Sequence, residues 1–81
     1  MNNTTGKADT IIAAFGGPYT VAKILSEAEG RKVSASAVYR WTYPRYRGGT
    51  DGFIPRKHKQ ALRSMDFMAA KPLSDQDWSE A

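Results

Sequence analysis

Glycine and proline divide this chain before any other signal is read. Gly16-Gly17-Pro18, Gly30, Pro44, Gly48, Gly49, Gly52, Pro55 and Pro72 punctuate its 81 residues and leave short stretches between them. Each break has a local reason: glycine accepts turn geometry, and proline cannot continue a helical hydrogen-bond ladder. Whatever forms between the breaks is therefore short, and only helices of a few turns fit the patterning found there. At this length there is material for one small core, which buries about 60% of the surface of the unfolded chain.

The apolar residues keep helical spacing. Ala8, Ile11, Ile12 and Phe15 recur at i, i+3, i+4 and i+7, and Val21, Ile24, Leu25 and Ala28 repeat the pattern after Pro18, a first-turn residue. Gly30 suits the position just past a helix end. Ser34 reads as the N-cap of a third, short helix with Val38 and Trp41 inside, closed by Pro44, which pushes Tyr43 out of helical geometry. Residues 43–52 read as an exposed glycine-rich loop, a tight hairpin or a small wing. A fourth helix follows Pro55, with Ile54, His58, Ala61, Leu62 and Met65 on one stripe. Beyond Ala69 the pattern fades into an acidic, frayed tail. The expectation is an all-α fold of four short helices: a flexible segment 1–7, a domain over 8–68, and a tail over 69–81.

Composition removes several classes of chemistry. The chain has no cysteine and one histidine, His58, so thiolate zinc sites, disulfides and iron–sulfur clusters are excluded and no metal or other cofactor is expected. No nucleophile–base pair or acid cluster stands out, so no catalytic residues are assigned and an enzyme is not expected. The longest apolar run, Ile11–Phe15, is far short of a membrane span, and residues 1–7 show no signal-peptide pattern. A cytoplasmic protein without a membrane partner is the expectation.

Charge is unevenly placed. Residues 1–63 hold eleven Lys and Arg against four Asp and Glu, whereas residues 64–81 hold Lys71 against Asp66, Asp75, Asp77 and Glu80. A basic body suits a polyanion, although a solvated basic surface would look the same. The pattern supplies a second clue. A helix carrying the small Ala22, a turn, and a short helix anchored by Val38 and Trp41 make the arrangement of a helix-turn-helix. The outer face of the third helix, Ala35, Ser36, Tyr39 and Arg40, is then free to enter a major groove about 12 Å wide.

Thr20-Val21-Ala22-Lys23-Ile24-Leu25, Val33-Ser34-Ala35-Ser36-Ala37-Val38-Tyr39-Arg40-Trp41 and Gly52-Phe53-Ile54-Pro55 together resemble the Cro/repressor-type helix-turn-helix regulators of phages and bacteria. The resemblance spans residues 8–65. It implies a sequence-specific double-stranded DNA-binding repressor acting as a homodimer. Ala22 and Val38 are sixteen residues apart, more than is usual in that family, so residues 26–31 extend the second helix and lengthen the connector.

On this reading Ala35, Ser36, Tyr39 and Arg40 read bases. Thr20, Lys23, Lys32, Ser34, Tyr43, Arg45, Arg47 and Lys57 contact phosphates, for which arginines and aromatics beside glycines are suited. Phe67, Met68, Leu73 and Trp78 are the candidate dimer surface; the alternatives are a DNA-binding antitoxin whose acidic tail grips a partner, or a phage protein that binds a host protein through its helix-turn-helix surface or tail. His58, with no acid near it in the sequence, reads as a half-buried structural residue.

Overall fold

The computed structural model describes residues 6–81. Five α-helices follow in order: α1 (Ala8–Ala14), α2 (Pro18–Glu29), α3 (Ala35–Arg40), α4 (Arg56–Ser64) and α5 (Asp75–Ser79). Single 3-10 turns lie at Arg45–Arg47 and Asp66–Met68, and no strand is present among the described residues. The all-helical expectation holds, with one helix more than the periodicity predicts.

The breaks fall where the backbone needs them. Gly17 precedes α2 at φ 111° and Pro18 occupies its first turn. Gly30 ends α2 in the left-handed region at φ 69°. Ser34 caps α3 by accepting a hydrogen bond from Ala37 N at 3.2 Å. The apolar stripes of the helices converge on one core, in which Ile11, Val21, Leu25, Val38, Leu62 and Trp78 are fully buried. α2 is its spine, packing against both α3 and α4.

The acidic tail is a correction. Residues 75–79 form α5, fixed by a reciprocal cap: Ser74 Oγ accepts from Asp77 N at 3.2 Å, and Asp77 Oδ2 accepts from Ser74 N at 2.9 Å. α5 packs on α1, and Trp78, expected on a dimer surface, is 1% exposed. Backbone bonds tie the segment down along its length: Ala70 N donates to Ala14 O at 2.7 Å, Lys7 N to Glu80 O at 2.8 Å, and Ile54 N to Ala81 O at 2.6 Å. The segment is a wall of the core, because one large aromatic side chain buries enough area to hold a short capped helix in place.

The expected flexible segment 1–7 is likewise revised at its end. Residues 1–5 lie outside the described residues. Gly6 N donates to Asp51 O at 2.9 Å, and Ala8 N donates to Gly52 O at 2.8 Å. The two backbones cross so closely that a Cβ on Gly6 would run into the Gly52 carbonyl, and Gly52 itself stands at φ 87°.

Candidate functional site

α3 has two unlike sides. Val38 is fully buried and Trp41, its C-cap, is 3% exposed, which seats the helix on the core. Ser36, Tyr39 and Arg40 are exposed. Ala35, expected beside them on the outer face, is half-buried and packs against the core instead. The side available to a ligand is therefore a small polar residue near the start, a tyrosine in the middle and an arginine at the end.

The connector before α3 is held by Ser26. Its hydroxyl accepts from Val33 N at 2.9 Å and lies 2.7 Å from Ala22 O, the acceptor for its proton. One side chain in the last two turns of α2 thus fixes where the chain re-enters the core at Val33. The longer spacing between Ala22 and Val38 is accommodated by this bond and by the extension of α2 to Glu29.

The start of α2 lies beside the exposed side of α3. Tyr19 and Tyr39 meet edge to face, with ring centroids 6.4 Å apart and planes at 85°. Tyr19, whose backbone amide the sequence marks with that of Thr20 as an anion site at the helix start, has a side chain that is 74% exposed. α2 has no side-chain cap, and its first intrahelical bond is from Val21 N to Gly17 O at 3.1 Å, so the Tyr19 and Thr20 amides precede the ladder. A shallow cavity of about 260 Å³ opens here, lined by Ile12, Ala13, Pro18, Tyr39 and Thr42. Thr20, Lys23, Lys32 and Ser34 are all exposed.

The glycine-rich loop has a definite shape and no strands. Arg40 O accepts from Tyr43 N at 3.1 Å and from Thr50 N at 3.2 Å, while Asp51 N donates to Tyr43 O at 2.9 Å. The loop is thereby folded back onto the end of α3. Gly49 fits against the carbonyls of Tyr43 and Arg40, where any Cβ would collide. Arg45 pairs with Asp51 through Nε at 2.9 Å, and the Arg47 guanidinium lies over the Tyr43 ring at 5.3 Å from its centroid.

Sequence reading missed the charged cluster behind α3. The Glu29 carboxylate, 5% exposed, meets His58 Nδ1 through one oxygen and lies 3.9 Å from Lys57 Nζ through the other. His58 has the acidic partner that its sequence neighbourhood lacks, because α2 and α4 pack together. Its ring lies against Trp41, centroids 5.8 Å apart with planes at 32°. Lys57, a candidate phosphate contact, is partly engaged by Glu29. The cluster links α2, α4 and the end of α3.

The remaining candidates divide. Lys23, Lys32, Arg40 and Arg47 have no acidic partner among the described residues, whereas Arg45, Lys57 and Arg63 each have one. Phe67 is 75% exposed and Met68 46% exposed, Leu73 is half-buried against the core, and Trp78 is removed from the surface. The acidic residues are partly committed too: Asp75 pairs with Arg63 at 2.6 Å and Asp77 caps α5. No helix of the described residues is long and apolar enough to cross a membrane. No family model, no curated protein and no solved structure matches this chain.

Proposed function

We propose that this chain binds double-stranded DNA in a sequence-dependent way, with α2 and α3 as a helix-turn-helix of the Cro/repressor type. One observation carries the reading: α3 is anchored on one side by Val38 and Trp41 and presents on the other Ser36, Tyr39 and an Arg40 with no acidic partner among the described residues. A six-residue helix is about 9 Å long, a length that lies within a major groove without meeting its far wall. Arg40 is the residue for guanine, whose O6 and N7 accept a bidentate guanidinium. Ser36 and Tyr39 complete the base-facing side, and the backbone at Ala35 brings the helix start close to the groove.

Phosphates are met around that face. The Thr20 amide and hydroxyl at the uncapped start of α2, Ser34 at the start of α3, and the Lys23, Lys32, Tyr43 and Arg47 side chains are the contacts. Anions are favoured at a helix start, where free amides and the helix dipole point outward. Two copies on two half-sites supply the specificity that one short helix lacks, and Phe67 and Met68 are exposed, adjacent apolar residues available for pairing. Transcriptional repression is the proposed outcome of that binding.

The test is selection of duplexes from a random double-stranded pool by the purified protein, followed by footprinting of the enriched sequence. Enrichment of one motif supports the proposal. An unselected pool, with no salt-sensitive duplex binding, rejects it.

A further inference from the structure

We infer that the turn Arg45–Arg47 is a second, pre-shaped contact to the DNA backbone, in which Arg47 binds phosphate and Asp51 positions it; this rests on the DNA-binding reading of α3. The two arginines look equivalent in the sequence, two residues apart in one loop. Their surroundings differ. The Asp51 carboxylate accepts from Arg45 N at 2.8 Å through one oxygen and from Arg45 Nε at 2.9 Å through the other, so Arg45 brings a charge already offset by its neighbour. Among the described residues Arg47 has no acidic partner, and the Tyr43 ring under its guanidinium supports the planar group while leaving its N–H edges open.

Asp51 occupies an unusual place for this work. It is the only non-glycine residue with positive φ among the described residues, at 55°. The pair it makes is exposed, with side chains 77% and 26% accessible, and exposed pairs of that kind contribute little to folding. What Asp51 fixes is shape: it holds the first residue of the turn while its own amide bonds Tyr43 O, the residue whose ring carries Arg47. Thr50 N and Tyr43 N both bond the Arg40 carbonyl, which sets the turn at the end of α3 that holds the proposed base-reading arginine. A phosphate contact at Arg47 and a base contact at Arg40 would then keep a constant spacing.

Asp51→Asn separates shape from charge. Asparagine adopts the left-handed region readily, and it keeps one acceptor oxygen for Arg45 N. Its amide nitrogen cannot accept from Arg45 Nε. The variant loses one negative charge, so charge alone predicts tighter binding to every duplex. Positioning predicts weaker binding to the selected duplex and unchanged or tighter binding to a scrambled one.

The experiment measures binding isotherms across salt for the full chain and for Arg40→Ala, Arg45→Ala, Arg47→Ala and Asp51→Asn, on selected and scrambled duplexes. Thermal unfolding verifies that each variant is folded. We expect Arg47→Ala to lose about tenfold in affinity and about one ion of salt dependence per half-site. Arg45→Ala should keep the salt dependence, and Asp51→Asn should narrow the gap between the two duplexes. Equal salt effects at Arg45 and Arg47, or tighter binding of the selected duplex by Asp51→Asn, overturns the inference. If the unaltered protein binds no duplex, the DNA reading fails and takes this one with it. If Arg40→Ala weakens binding and Arg47→Ala does not, only the role of the turn is wrong.

Discussion

Trp78 meets Phe15 edge to face, with ring centroids 6.3 Å apart and planes at 69°, joining the last helix to the first. Trp78→Ala should destabilise the protein by about 3–5 kcal/mol, the range for emptying a large aromatic site. A domain of this size has roughly 5–10 kcal/mol in total, so little would remain. Urea denaturation checks it. A midpoint unchanged from that of the unaltered protein would show that α5 merely rests on the surface.

Glu29 and His58 should be coupled. His58→Ala leaves a buried carboxylate with only Lys57 nearby, and we expect a loss of about 2–3 kcal/mol, below the figure for fully buried pairs because His58 is partly exposed. Glu29→Gln removes the charge that needs a partner. A double-mutant cycle should return a coupling above about 0.5 kcal/mol. Additive losses would mean that the two side chains act independently.

Arg40→Ala should relax base preference at one position per half-site and lose about 1–3 kcal/mol on the selected duplex, with less effect on a scrambled one. Competition binding against single-base variants of the selected sequence reads this directly. An equal loss on all sequences would make Arg40 a phosphate contact.

Gly6→Ala should destabilise the fold by more than about 1 kcal/mol, since the added Cβ meets the Gly52 carbonyl and backbone has to move. Gly30→Ala is the comparison: nothing crowds that site, and its loss should reflect backbone strain at φ 69° alone. Chemical denaturation of both variants distinguishes crowding from strain.

Phe67→Ser with Met68→Ser should shift sedimentation toward the monomer and weaken binding to a two-half-site duplex, while leaving stability near that of the unaltered protein, because both residues are exposed. If the unaltered protein sediments as a monomer at micromolar concentration, with and without DNA, the pairing proposal is rejected.

The helices with strong periodicity were legible. Ile11, Ile12, Leu25, Val38 and Trp41 are buried as their spacing predicts, and Pro18, Gly30 and Ser34 stand at helix ends as their chemistry predicts. α5 escaped because a five-residue helix has one inward residue and no period to detect. Its signal was Ser74 followed three places later by Asp77, a capping pair with the shorter acid, just ahead of Trp78. Glu29 and His58 are 29 residues apart, and no local rule links them; only the packing of α2 on α4 does. The different surroundings of Arg45 and Arg47 were invisible for the same reason, since they depend on Asp51 folding back across the loop.

The bonds that reach α1 from the far end of the chain bear on how the protein is made. Lys7 N and Ala14 O find their partners at residues 80 and 70, and Phe15 finds its ring partner at residue 78. On a ribosome, the first helix would emerge well before residues 70–80, on which part of its packing depends. The core around α1 then closes only once residues 70–80 have emerged. A chain stalled before residue 78 would leave Phe15 without its ring partner and one side of the core open to chaperones and proteases.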